Sequence, residues 1–227
     1  MQKGLIVTLD GPAGAGKSSV SRKLSNLLGY TYIDTGAMYR AIALYFKQQG
    51  IPWENHEQIE QDLSGIQLEF RSVNGENHIF LNGVDSESAI RQREISRGAS
   101  VVSAIPAVRD FLLEQQRALG ENGGVVLEGR DIGTVVFPNA ELKFYLDASS
   151  EQRARRRLLQ TGGGSDADFE QLKKEIEARD LADMRREIAP LRCPEDAITV
   201  DSSELSLDEV IDLMYTHFEN RNKVLNQ

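Results

Sequence analysis

The run Gly11-Pro12-Ala13-Gly14-Ala15-Gly16-Lys17-Ser18 has the spacing G-x-x-x-x-G-K-S/T, which is suited to holding the phosphates of a nucleotide. Glycines at these places let successive backbone N–H groups turn toward one anion, and the positive end of the following helix points at the same anion. Lys17 then reaches the β- and γ-phosphates, the Ser18 hydroxyl is left for Mg²⁺, and Ser19 continues the first helical turn beside them. A bare match of this kind arises by chance in roughly one chain per hundred of this size, so context decides. Here the apolar run Leu5 to Leu9 precedes the loop, and a helix with Val20, Leu24, Leu27 and Leu28 on one stripe follows it and stops at Gly29.

Three further groups of residues have spacing that can do chemistry. In Asp34-Thr35-Gly36-Ala37-Met38-Tyr39-Arg40, Arg40 lies off the apolar stripe of Ala37, Ala41, Leu44 and Tyr45. It either faces a phosphate or is solvated, with Asp34 or Thr35 a plain helix cap. Glu128-Gly129-Arg130-Asp131 follows the apolar run Val125 to Leu127, where Arg130 and Asp131 either touch ligand or pair with one another at a turn. Arg179, Asp183 and Arg186 stand at i, i+4 and i+7, so a helix there puts all three on one face, as a ligand site or as a surface ion-pair ladder. The same two readings apply to Arg153, Arg156 and Arg157. A phosphate site favours the functional one, because arginine neutralises phosphate oxygens in pairs.

The elements that must position these residues follow from patterning. Strand-like runs at residues 5–9, 31–33, 125–128, 141–146 and 197–200 alternate with helical ones, which predicts a parallel five-stranded sheet covered on both faces by helices. Each run leads to a carboxylate: Asp10, Asp34, Glu128, Asp147 and Asp201. Residues 64–85 break the rhythm, with alternating Ile66, Leu68 and Phe70, a turn at Asn74-Gly75 and a returning run from His78 to Leu81. This reads as a small antiparallel insert leaning on neighbouring helices. A second break at Ser149–Asp168 holds the arginine-rich helix and then Thr161-Gly162-Gly163-Gly164-Ser165, whose glycines point to a mobile lid.

Composition sets the outer limits. A chain of 227 residues with 40% hydrophobic content fits one α/β domain. No run approaches the roughly 18 apolar residues of a membrane span. The start lacks a secretory pattern, so a cytoplasmic protein is expected. Cys193 has no partner for an internal disulfide, and His56, His78 and His217 are too scattered for a transition-metal site. The net charge of −9 opposes broad contact with nucleic acid, so positive charge for phosphates must be local.

Four motifs taken together are similar to those of the bacterial cytidylate kinases. They are the Gly11–Ser18 loop, Asp34–Arg40, Glu128-Gly129-Arg130-Asp131-Ile132-Gly133-Thr134-Val135-Val136-Phe137-Pro138, and Ile188-Ala189-Pro190-Leu191, in order over nearly the whole chain. The resemblance implies a three-layer P-loop kinase fold with an antiparallel β insert in the acceptor-binding part and a mobile lid. It divides a single domain 1–227 into a core (1–34, 106–147, 188–227), an acceptor-binding part (35–105) and a lid with its following helix (148–187). It implies ATP- and Mg²⁺-dependent phosphorylation of CMP and dCMP by a monomer that needs neither nucleic acid nor membrane. Ser100, Arg109 and Asp131 would recognise cytosine, and Arg179 and Asp183 would hold the ribose. Arg40, Arg130 and Arg186 would clamp the acceptor phosphate, with Lys17, Arg130, Arg186 and Arg156 neutralising the transferred charge. The loop residues, Arg153 and Arg157 fall on the ATP side. Thr35 and Glu128 stand where the family more usually has serine and aspartate, and they preserve the hydroxyl and the carboxylate.

Other small acceptors, namely UMP, AMP, GMP or shikimate, are the nearest rivals. A GTP-gated switch would carry N-K-x-D or T-K-x-D, and the sequence has neither. An RNA-binding regulator would need a basic, aromatic-rich stripe, which the acidic balance opposes.

Overall fold

The apolar run before the glycine-rich loop becomes β1 (Ile6–Asp10), the middle strand of a five-stranded parallel sheet, in a computed structural model that describes residues 4–160 and 162–225. Next come α1 (Lys17–Leu28), β2 (Thr31–Asp34), α2 (Thr35–Gln48), α3 (His56–Asp62), β3 (Leu68–Val73), β4 (Glu76–Leu81) and β5 (Val84–Asp85). The chain continues through α4 (Arg93–Val102), α5 (Pro106–Gly120), β6 (Val125–Glu128), β7 (Leu142–Asp147), α6 (Ser150–Gln160), α7 (Asp166–Arg185), β8 (Ile198–Asp201) and α8 (Leu207–Leu225). Each expected strand of the parallel sheet lies within one residue of the observed one, and each observed strand ends on its carboxylate.

The sheet runs β2-β6-β1-β7-β8, with Val7 beside Val126 on one side and Leu142 on the other. All four residues of β6 are buried, as are five of six in β7, which suits strands covered on both faces. The described residues fall into two units, 4–32 with 120–225, and Ile33–Leu119. The first has its own core, in which Val20 and Leu24 of α1 and Val210, Met214 and Phe218 of α8 pack with the strand residues Leu9, Val126 and Phe144. Gly16 and Gly29 bound α1 with φ of 97° and 66°, left-handed values that glycine takes without strain. Ser165 and Asp168 form a reciprocal capping box at the start of α7. Of the expected mobile stretch, Thr161 lies outside the described residues, while Gly162 and Gly163, with φ of 92° and 87°, return hydrogen bonds to Leu159 and Leu158 at the end of α6.

The second unit packs Met38, Ile42 and Phe46 of α2 with Ile95, Ala99 and Val102 of α4 and Val108 and Leu112 of α5. The antiparallel insert has three strands, β3-β4-β5, and not the two of a simple hairpin. Its two tight turns are both Asn-Gly, Asn74-Gly75 and Asn82-Gly83, with left-handed φ at all four residues as the twist of a two-residue hairpin loop requires. Ile79 and Leu81 of β4 are buried in the helical core, so the small sheet does lean on helices. Among the described residues no helix is long and apolar enough to cross a membrane.

Candidate functional site

The glycine-rich loop adopts a shape that only glycine permits at its turning points. Gly11, Gly14 and Gly16 have φ of 147°, 78° and 97°. A Cβ on Gly11 would sit 2.0 Å from the Leu146 carbonyl oxygen, so the loop's first residue is pressed against β7. The Lys17 ammonium is buried and donates to the carbonyls of Gly11 (2.8 Å) and Pro12 (2.7 Å), bridging the loop from inside. Burial pushes it down to about 7, helped by Arg130 and Arg179 and opposed by Glu128 and Asp10. A lysine so close to neutral pH would regain its full charge beside an anion. Ser18 and Ser19 are exposed in the first turn of α1.

Next to the loop, the ends of β1 and β6 build a cluster of opposed charges. Asp10 is fully buried and accepts from the backbone N–H of Ile132 (2.9 Å) and Gly133 (2.7 Å), so it fixes the path of the chain just after Asp131. Burial raises its carboxyl to about 6 despite those two hydrogen bonds, and the neighbouring Asp131 pushes the same way. Residues Ile132–Val136 form a π-helical turn, a wide and uncommon turn that often marks functional sites. Asp131 itself is buried, and its carbonyl accepts from Val135 and Val136. Glu128 is buried and accepts from the Tyr32 hydroxyl.

Arg179 and Asp183 share α7, as their spacing predicts, and Arg186 is the residue that ends the helix, with an extended ψ of 137°. Arg130 donates through Nε to Asp183 at 3.0 Å and through Nη1 to its neighbour's carbonyl, that of Gly129, at 3.1 Å. Burial alone would raise the Asp183 carboxyl, yet Arg130, Arg179 and Arg186 together hold it below the ordinary carboxylate range. The charges of three guanidinium groups therefore act on one carboxylate, that of Arg130 through a direct hydrogen bond, and two of them, Arg130 and Arg179, also lower Lys17. Arginine and lysine charge is concentrated here, matched by the carboxylates of Asp10, Glu128, Asp131 and Asp183.

The arginines of α6 are placed in three different ways. Arg153 is buried, with Nε on the Ala148 carbonyl (2.8 Å) and Nη1 on the Ala13 carbonyl (2.9 Å) and on Asp180. Arg156 is half-buried and donates to the carbonyl of Ser202 (2.5 Å), the Ser202 hydroxyl (3.1 Å) and the Ala15 carbonyl (3.3 Å). Arg157 is exposed and reaches Gln160 on its own helix at 3.5 Å.

In the second unit, Asp34 caps α2 by accepting from Ala37 N–H (2.9 Å) and also accepts from Arg40 (2.7 Å) and Arg91 (3.3 Å). Burial would raise its carboxyl, and the two arginines hold it below the usual range. Thr35 is buried in the first turn. Arg109 is buried over the face of Tyr39, 5.6 Å from the ring centre, and donates to the Ser103 carbonyl at 3.2 Å. Ser103 in turn donates to the Ser100 carbonyl at 3.0 Å, which places Ser100 and Arg109 on one short network. Sequence reasoning placed Asp10 at the end of a strand but gave no signal for its partners, and it had none for Arg91 or Asp180, which bond to residues far along the chain.

Comparison with known proteins is consistent with this geometry. The family model described as "Cytidylate kinase" matches residues 7–220. A cytidylate kinase of Syntrophotalea carbinolica is 45% identical over 225 residues, covering 99% of this chain and 96% of the relative. One of Caldicellulosiruptor bescii is 47% identical over 210 residues, covering 92% and 93%. Among solved structures, a gluconokinase from Sinorhizobium meliloti 1021 superposes with a TM-score of 0.51 over 99% of this chain and 96% of its own, at 17% identity, which speaks for the fold alone.

Proposed function

Because the chain belongs to the cytidylate kinase family, we infer that it is a phosphotransferase acting on CMP, and we propose that ATP with Mg²⁺ is its donor and that dCMP is also accepted. The observation that carries the reading is Lys17 held inside the glycine loop by the Gly11 and Pro12 carbonyls, with Arg130, bonded to Asp183, close enough to lower it.

The chemistry asks little covalent work of the protein. A nucleotide monophosphate is largely dianionic at neutral pH, so its oxygen attacks without a general base. What remains is alignment and charge neutralisation. We assign the ATP phosphates to Gly11, Pro12, Ala13, Gly14, Ala15, Gly16, Lys17, Ser18 and Ser19, with Arg157 and Arg156 of α6 on the same side and Arg153 acting from beside Ala13. Arg40, Arg130 and Arg186 bind the acceptor phosphate, Arg179 and Asp183 the ribose, and Ser100, Arg109 and Asp131 the cytosine, with Thr35 at the start of α2 on the acceptor side. Asp131 accepts from the cytosine amino group, where uracil would present an oxygen, so uracil leaves a buried carboxylate facing an acceptor.

Among the described residues no three His, Cys, Asp or Glu side chains form a metal cage. The residues present suit Mg²⁺ in another way: the exposed Ser18 hydroxyl would offer it one oxygen, and the donor's phosphates and water would have to supply the rest. When bound, the ion adds charge neutralisation at the phosphates. Closure of the segment 148–187 over the donor excludes water and suppresses hydrolysis. The reading needs one chain and neither nucleic acid nor membrane. Its test is a steady-state assay with ATP and Mg²⁺ across CMP, dCMP, UMP, AMP and GMP. Turnover of CMP at least about 100-fold more efficient than of UMP or AMP is expected, and equal turnover of CMP and UMP would refute the cytosine assignment.

A further inference from the structure

The buried ion pair between Asp180 on α7 and Arg153 on α6 hydrogen-bonds both backbone polar atoms of one residue of the glycine loop, Ala13. Asp180 Oδ1 accepts from the Ala13 N–H at 2.9 Å, and Arg153 Nη1 donates to the Ala13 carbonyl at 2.9 Å and to Asp180 Oδ2. Arg153 is 7% exposed and Asp180 6%. Such a pair is costly to bury, and its worth to folding alone is doubtful unless its geometry serves something else. We propose that Asp180 and Arg153 are a positioning pair for the phosphate loop, holding Ala13 so that the amide after it faces the anion.

The argument is one of peptide geometry. In a trans peptide the carbonyl of one residue and the N–H of the next point in opposite directions. With the Ala13 carbonyl pulled toward α6 by Arg153, the Gly14 N–H is aimed the other way, toward the side that receives phosphate. The same device recurs two residues on. The Ala15 carbonyl accepts from Arg156 (3.3 Å) and from the Ser202 hydroxyl (3.4 Å), which turns the Gly16 N–H in the same sense. Gly14 fits the scheme in a second way: its φ of 78° is left-handed, and a Cβ there would lie 3.3 Å from Arg153 Cβ, so the loop rests directly on α6. An amide that is already aimed costs no reorganisation when the anion binds.

This inference rests on the reading that the loop binds ATP, and the test separates the two. ADP and CMP affinities are measured by titration calorimetry, and KM for ATP and CMP by steady-state assay, for wild type, Asp180→Asn and Arg153→Lys, with Tm recorded for each. Arg153→Lys keeps the buried positive charge but cannot serve Ala148, Ala13 and Asp180 together, so it guards against a variant that fails to fold. A positioning role predicts that Kd for ADP and KM for ATP rise by about 10-fold or more in Asp180→Asn and by a smaller factor in Arg153→Lys, while Kd and KM for CMP stay within about 2-fold. A pair that serves only the fold lowers Tm and leaves ADP affinity unchanged in the folded variants, which overturns the proposal. An equal loss for ATP and CMP also overturns it. A wild type that binds neither ADP nor ATP removes the donor assignment itself, and the positioning role with it.

Discussion

Asp10→Asn separates the stability of this protein from its activity. Asp10 is fully buried at the end of β1, and its carboxyl sits at about 6 where the ordinary value is 3.8. Below pH 3.8 the group is protonated in both the folded and unfolded chains and costs nothing. As pH rises toward 6 the unfolded chain gives up a proton that the folded one keeps, and folding stability falls. Above about 6 the cost is complete, and at about 1.4 kcal/mol per pKa unit it comes to about 3 kcal/mol. Asparagine has the same shape without the charge. It keeps one oxygen for the N–H of Ile132 or Gly133 but turns an NH₂ toward the other, a loss of about 1–3 kcal/mol at every pH. Urea unfolding at pH 4 and pH 7 therefore has a clear expectation. At pH 4 part of the cost is already present, so relative to wild type the variant's stability improves by about 2 kcal/mol between those two pH values. The same variant slackens the segment that carries Arg130 and Asp131, so kcat/KM for CMP falls by about 10-fold or more even where the protein is no less stable. A stability difference from wild type that is the same at both pH values would refute the account of Asp10 as a buried charge retained for positioning.

Other consequences concern the lysine, the base and the second unit. Lys17 titrates near 7 because of burial first and Arg130 next, and phosphate charge must raise it. ADP binding at pH 8 should therefore take up a proton, and at pH 6 almost none. Calorimetry in two buffers of different ionisation enthalpy reads this directly, and an uptake of zero at both pH values would count against it. Asp131→Asn should lower kcat/KM for CMP by about 100-fold through loss of a charge-assisted bond in a desolvated pocket, with little change for UMP. Gly98→Ala puts a methyl group 2.4 Å from the Trp53 ring; overpacking of about 1–3 kcal/mol exceeds the gain in helix propensity of about 1 kcal/mol, so Tm should fall. An unchanged or higher Tm would show that Trp53 yields freely.

Much of this was legible because it is local. The parallel strands were readable from short apolar runs closed by carboxylates, and the ends of α1 from glycines that alone adopt its left-handed caps. The insert's first turn was readable from Asn74-Gly75; its third strand was missed because β5 is only two residues long, although Asn82-Gly83 carries the same turn signal. Other features depend on pairings between distant positions. Asp10 finds its two amides at Ile132 and Gly133, Asp34 finds Arg91, and Asp180 finds Ala13, and no spacing rule connects them. The arginines of α6 show the same limit in another form. Their common pattern of charge conceals that Arg153 is buried against the loop, Arg156 holds the Ser202 carbonyl, and Arg157 lies in solvent. The π-helical turn at Ile132–Val136 has no apolar period to announce it; it forms where Asp10 draws in the backbone of its first two residues.

The central claim is that donor and acceptor phosphates are brought end to end by Lys17 and the arginine cluster, and one molecule tests it most directly. Adenosine and cytidine joined through five phosphates should bind in a 1:1 ratio, compete with both ATP and CMP, and hold at least about 100-fold tighter than either, since one association replaces two. Competition with ATP alone, with CMP still binding beside it, would contradict the account.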